Sequence, residues 1–204
     1  MNIRGFPCEI HSVVTYGGYI IDIHRIPNSG AKPAILLPGL VGNSAEFVMA
    51  TDKVNKNPMV IGRNMAFELH KQGYDVWMAN NRGCKYGMGH LWLDPNEKEF
   101  WKFCFDDISH SDIPTIIEYV RRFTQYGKCL LLCDFIFLKF SIYLDKIHMI
   151  AHSQGTSVMF ALFSQSKRYD HVIQSFIAIS PITRIKNAKT TFKYALSAIK
   201  TRLE

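Results

Sequence analysis

The stretch "DKIHMIAHSQGTSVMFALF" at 145–163 sets one serine, Ser153, between an apolar run and a helix-forming run. The five residues Ala151-His152-Ser153-Gln154-Gly155 depart at one position from G-x-S-x-G, the pattern of a nucleophile elbow. In an elbow the serine occupies a strained turn between strand and helix, and its hydroxyl projects at the sheet's edge. Small residues are needed two before and two after it, because strand and helix nearly touch there. Ala151 and Gly155 meet that need. The chemistry such a serine supports is attack on an acyl carbon, with backbone N–H groups holding the oxyanion. Gln154, directly after the serine, would donate one of those N–H groups. The other should come from the loop after an earlier strand, and Leu40, which follows Pro38-Gly39 in "AILLPGL", is the candidate. The plain alternatives are a serine that caps a helix and an ordinary Pro-Gly turn.

These residues need a scaffold of strands and helices in alternation. Residues 8–26 read as two β-rich runs joined at Gly17-Gly18, a hairpin signal. "PAILLPGL" (33–40) and "YDVWMANNRG" (74–83) read as buried strands ending in turns. Asn43 or Ser44 is a plausible cap for a short helix in "GNSAEF", and 63–74 carries a helix with a Gly stop. In 99–123, Ile113, Ile116, Ile117 and Val120 recur at helical spacing, with Pro114 expected in an early turn. A strand at 146–153, a helix at 155–166 and a strand at 172–182 follow. From Thr183 onward, apolar residues three or four apart predict an amphipathic helix. The sum is an α/β chain with a mostly parallel sheet and an N-terminal antiparallel hairpin at one edge. Ligands bind such sheets at the carboxyl ends of strands, so Pro38-Gly39-Leu40, Asn80-Asn81-Arg82 and His152-Ser153-Gln154 are the ends of interest.

Composition narrows the classes. With 204 residues, 48% hydrophobic, the chain is long enough for one substantial core. Its net charge of +7 comes without an Arg-rich arm, zinc-finger spacing or RNA-binding aromatic signature, so no nucleic-acid partner is expected. The 5 cysteines (Cys8, Cys84, Cys104, Cys129 and Cys133) show no CxxC spacing, which speaks against a metal site, and most read as small buried hydrophobes. No cofactor is called for. "MNIRGFPCEI" lacks the apolar run of a signal peptide, and "CLLLCDFIFLKFSIYL" (129–144) falls short of the ~20 apolar residues of a membrane span, so no transmembrane segment is expected.

Five stretches carry a specific resemblance: "GFPCEIHSVVTYGGYIIDIHRIP", "LLPGLVGNSAEFV", "GYDVWMANNRG", "EFWKFCFDDISHSDIPTIIEYV" and "HMIAHSQGTSVMFALFS". In order and spacing, over about 5–182, the chain resembles the acid lipase family of α/β-hydrolases, the group of lysosomal acid lipase, gastric lipase and steryl ester hydrolase. The resemblance implies a serine esterase of water-insoluble neutral lipids, triacylglycerols or sterol esters, met at a lipid–water interface. Ser153 would be its nucleophile, with Leu40 and Gln154 as oxyanion hole. It suggests a lysosomal, secreted or lipid-associated protein.

Four departures stand out. Pro38-Gly39 replaces the family's His-Gly, and Ala151 replaces the elbow's first glycine. The apolar segment 127–144 has no family counterpart, and is expected to be a translated intron or another gene-model artefact. The family's order is Ser, then Asp, then His, after later strands. Here only Asp170 and His171 follow closely, on one short loop that cannot supply both, while His148 and His152 read as structural. The chain is therefore expected to be a C-terminally truncated copy. Its core would cover 1–182, the start of a lid 183–204, and it would lack esterase activity and dissolve poorly. The alternatives are a catalytically dead lipid-binding or interaction module and another kind of α/β-hydrolase esterase.

Overall fold

The computed structural model describes residues 2–3, 5–49, 64–129 and 146–184. Nine strands appear among them: β1 (Asn2–Ile3), β2 (Phe6–Pro7), β3 (Glu9–Val14), β4 (Tyr19–Ile26), β5 (Pro33–Leu37), β6 (Asp75–Met78), β7 (Gly89–His90), β8 (Ile147–His152) and β9 (Ile173–Ile179). The helices are α1 (Met65–Lys71), α2 (Phe105–Asp107), α3 (Ile113–Cys129) and α4 (Gln154–Gln165), with short 3₁₀ turns at Ser44–Phe47, Lys98–Trp101 and Lys167–Asp170.

The main sheet has the order β3-β4-β6-β5-β8-β9, and β7 adds a short pairing to β4. The hairpin β3–β4 is antiparallel and lies at one edge, as its Gly17-Gly18 turn implied. From β6 through β5 and β8 to β9 the pairings are parallel. The central strands β5 and β6 are buried along their whole length, because helices cover both faces. Alternation then sorts their side chains. Ile35, Leu37, Trp77, Met149 and Ala151 join the core under α3 and α4, while Leu36, Val76, Met78 and Ile150 face Phe47, Ala66 and Phe67.

Strand boundaries are tighter than the apolar runs suggested. β5 stops at Leu37 and β6 at Met78, so Pro38 onward and Asn80–Arg82 belong to loops. Pro114 differs from expectation. Helical backbone already begins at α2, and a π turn at Ile108–Asp112 joins it to α3. Pro114 lacks the N–H that would bond back to His110 and its ring crowds that carbonyl, so the wider turn accommodates a mid-helix proline.

Cys8 is buried, Cys84 half-buried and Cys104 exposed, all with free thiols. The segment 130–145, which contains most of the apolar insertion, and 185–204, the expected lid helix, lie outside the described residues. β9 pairs only with β8 among the described residues, and Ile177 on it is exposed.

Candidate active site

β8 delivers Ser153 at its carboxyl end, and α4 starts immediately after it. Ser153 takes φ 51° and ψ −118°, a left-handed conformation that L side chains rarely adopt. The surroundings hold it there. Its N–H donates to the Ile179 carbonyl at 3.0 Å, tying the elbow to β9. Its carbonyl accepts from the Thr156 N–H at 3.0 Å and from the Thr156 hydroxyl at 2.6 Å, while the same hydroxyl accepts from the Ile182 N–H at 3.1 Å. Thr156 is fully buried and was not legible as part of the site, because a threonine in a helix's first turn has many ordinary roles.

The elbow's small residues have the expected cause. A Cβ on Gly155 would stand 2.8 Å from the Pro38 carbonyl oxygen, so only glycine fits where α4 passes β5. Ala151 is buried in register with Leu37 and Ala178, and its methyl is accommodated in the core. The change from the usual glycine is therefore tolerated.

The loop after β5 comes directly against the serine. A Cβ on Gly39 would lie 3.2 Å from Ser153 Cβ and 3.4 Å from His152 Nδ1. Leu40 follows Gly39, and a turn closes where the Gly42 N–H donates to the Gly39 carbonyl at 3.1 Å. Val41 sits at φ 61°, a second strained non-glycine residue beside the elbow. Gln154 opens α4, where helix geometry gives its N–H no intrahelical partner. Among the described residues no acceptor bonds the Leu40 N–H either. Gln154 thus follows the serine on α4, and Leu40 belongs to the loop whose Gly39 lies against the serine.

Glu46 is a residue that no motif indicated. It projects from the 3₁₀ turn at Ser44–Phe47, and its carboxylate faces His152 Nδ1 at 2.8 Å and accepts from the Gly39 N–H at 3.4 Å. A lone glutamate in a polar loop carries no periodic or spacing signal.

The other candidates are placed elsewhere. His148 meets Ser175 Oγ at 2.7 Å beside the Tyr74 ring, and burial, helped by Lys32, lowers its pKa. Asp170 and His171 lie before β9, whose first residue pairs with Ile147 at the amino end of β8. That is the opposite end of a six-residue strand from the serine, roughly 20 Å away. The Asn80–Arg82 end holds the fold together. Asn80 accepts from the Ser44 N–H at 2.8 Å and donates to the Asp22 carbonyl at 2.7 Å, while Arg82 is locked on Asp112. Among the described residues no three His, Cys, Asp or Glu side chains gather as a metal site would, and no helix is long and apolar enough to cross a membrane.

A strand–serine–helix elbow facing a glycine loop from the adjacent parallel strand is an arrangement shared with known proteins. The family model described as alpha/beta hydrolase fold matches residues 32–196. The chain belongs to the α/β-hydrolase fold family. Residues 1–51 match a second model, a partial α/β-hydrolase lipase region. Gastric triacylglycerol lipase of Bos taurus is 31% identical over 196 residues, covering 92% of this chain and 43% of the relative. Lipase 1 of Drosophila melanogaster is 32% identical over 185 residues, covering 91% and 36%. The resemblance to the acid lipase group therefore holds, and this α/β-hydrolase chain spans less than half the length of the curated relatives it matches. Among solved structures, the Pyrococcus furiosus esterase Pf2001 superposes with a TM-score of 0.55 at 17% identity, covering 98% of this chain and 64% of that one. An aryl esterase from Burkholderia cenocepacia gives 0.54 at 15% identity, covering 88% and 49%. At those identities the likeness is one of fold.

Proposed function

We propose that this chain carries the nucleophile half of a carboxylic ester hydrolase acting on neutral lipids, triacylglycerols or sterol esters, at a lipid–water interface. The observation that carries the reading is the left-handed Ser153 at the start of α4, with Gly39 of the loop after β5 directly against it. Relatives whose names are those of triacylglycerol lipases support the substrate class. In this reading Ser153 Oγ attacks the ester carbonyl, and the Leu40 and Gln154 N–H groups stabilise the oxyanion.

The 204 residues alone lack the base. All 8 histidines lie among the described residues, and His152 alone neighbours the serine. Its Nδ1 is engaged by Glu46, and no described imidazole hydrogen-bonds the Ser153 hydroxyl. Without a base the serine is a poor nucleophile, and loss of triad function costs on the order of a million-fold in turnover. The expected activity of this chain is none.

The test compares these 204 residues with the product of the full-length transcript, each beside its Ser153→Ala variant. Substrates are emulsified triacylglycerol, emulsified sterol ester and a soluble p-nitrophenyl ester. We expect Ser153-dependent hydrolysis of the emulsified esters by a longer product that adds an Asp and a His, and none by the 204 residues. A Ser153-dependent rate from the 204 residues overturns the inactivity. Preference for the soluble ester points to a small-ester esterase. A transcript that stops after Glu204 favours a lipid-binding module.

A further inference from the structure

We propose that Glu46 is a positioning residue that clamps the loop 38–42 to the nucleophile elbow through His152, and so holds the Leu40 N–H beside Ser153. The inference rests on the reading of Ser153 as nucleophile and Leu40 as oxyanion donor.

Glu46 stands on a fixed base. Asn43 caps its 3₁₀ turn by accepting from the Ala45 N–H at 3.0 Å, the Ser44 hydroxyl meets His24 Nδ1 at 2.7 Å, and Phe47 is buried in the core. From that base one carboxylate oxygen reaches His152 Nδ1 at 2.8 Å, 106 positions along the chain. The other lies 3.4 Å from the Gly39 nitrogen. It also covers Gly42, where a Cβ would come within 2.4 Å of it. One side chain thus bridges two elements, the loop that offers Leu40 and the strand end that offers Ser153.

Chemistry sets the direction of these bonds. An ionised carboxylate only accepts, so the hydrogen bond requires the proton of the imidazole on Nδ1. Both partners of Glu46 are then donors, and a single amide oxygen cannot replace two carboxylate oxygens. The loop has something to resist, since Val41 holds φ 61°, a strained conformation that persists only where neighbours enforce it. The pair is partly open to solvent, with side chains 42% and 28% exposed for His152 and Glu46, so its role is local order more than global stability.

The test is hydrogen–deuterium exchange of peptides spanning 38–42, read in the chain and in three variants. Glu46→Gln loses one of the two acceptors, and His152→Phe keeps a flat ring without a donor. His152→Asn restores a donor at the place of Nδ1. We expect the first two to speed exchange at 38–42 about fivefold, with β5 and β8 unchanged, and His152→Asn to match the parent. Unchanged exchange in Glu46→Gln and His152→Phe overturns the clamp, as does a rise spread evenly over β5 and β8. Parent-like exchange in His152→Phe alone reduces His152 to packing and also overturns it. Ser153→Ala leaves this readout unaffected, so failure of the clamp and failure of the nucleophile reading, judged by hydrolysis, are separate results.

Discussion

Gly155 and Pro38 are in closer contact than any side chain would permit: a Cβ on Gly155 would meet the Pro38 carbonyl oxygen at 2.8 Å, the Leu37 carbonyl oxygen at 3.1 Å and Leu37 Cβ at 3.2 Å. Two of those three atoms are backbone and cannot swing aside. Gly155→Ala should therefore force α4 away from β5 and lower stability by about 2 kcal/mol. Urea unfolding of variant and parent checks it, and a neutral result would mean that the helix end is free to shift.

Ser153 gives the opposite expectation. Its φ of 51° with ψ −118° strains any residue bearing a Cβ. Such strain costs about 1–3 kcal/mol, and the added chain entropy of glycine about 0.5–1 kcal/mol. Ser153→Gly should stabilise the chain by about 1 kcal/mol, while Ser153→Ala, which keeps the Cβ, should not. Denaturant midpoints of both variants against the parent measure the difference.

Arg82 and Asp112 form a buried ion pair at 2.6 Å, with side chains 4% and 0% exposed. Asp112 also accepts from the Arg82 N–H at 3.0 Å, and the guanidinium stacks 4.2 Å above the Tyr19 ring. Removing the carboxylate strands a guanidinium in the core. Asp112→Ala should cost about 3–5 kcal/mol, seen as loss of soluble protein or an early unfolding midpoint.

His24 carries a pH prediction. Burial lowers its pKa from the ordinary 6.5, with Asp22 opposing in part. Burial lowers His148 in the same direction. Below pH 6.5 the unfolded chain binds protons that the folded chain resists, so stability is full above 6.5 and falls as pH drops towards the folded values. Unfolding free energies at pH 7.5, 6.5 and 5.5 should decline in that order. His24→Asn should flatten part of the slope.

Much of the scaffold was legible because it is local. β-rich runs around Gly17-Gly18 marked the hairpin, an apolar run and a helix-forming run around Ser153 marked β8 and α4, helical spacing marked the Ile113–Val120 stripe, and small residues around Ser153 marked the elbow. The turns at Pro38 and Asn80–Arg82 were read as turns, whereas the last strand, expected over 172–182, already ends at Ile179. The π turn before Pro114 was not legible, because its cause is a clash that arises only when helical turns already precede the proline.

By itself the sequence determined that a serine follows a strand, precedes a helix and has room to turn between them, since those demands fall on adjacent residues. It also placed Asp170 and His171 on a loop unsuited to serve that serine. Only the tertiary structure decided what surrounds the serine. Glu46 and His152, Thr156 and Ile182, and Arg82 and Asp112 meet through the parallel order of β6, β5, β8 and β9, which brings distant strand ends side by side. A polar side chain in a loop has no periodicity to announce its partner; its role depends on which loop the sheet sets opposite it.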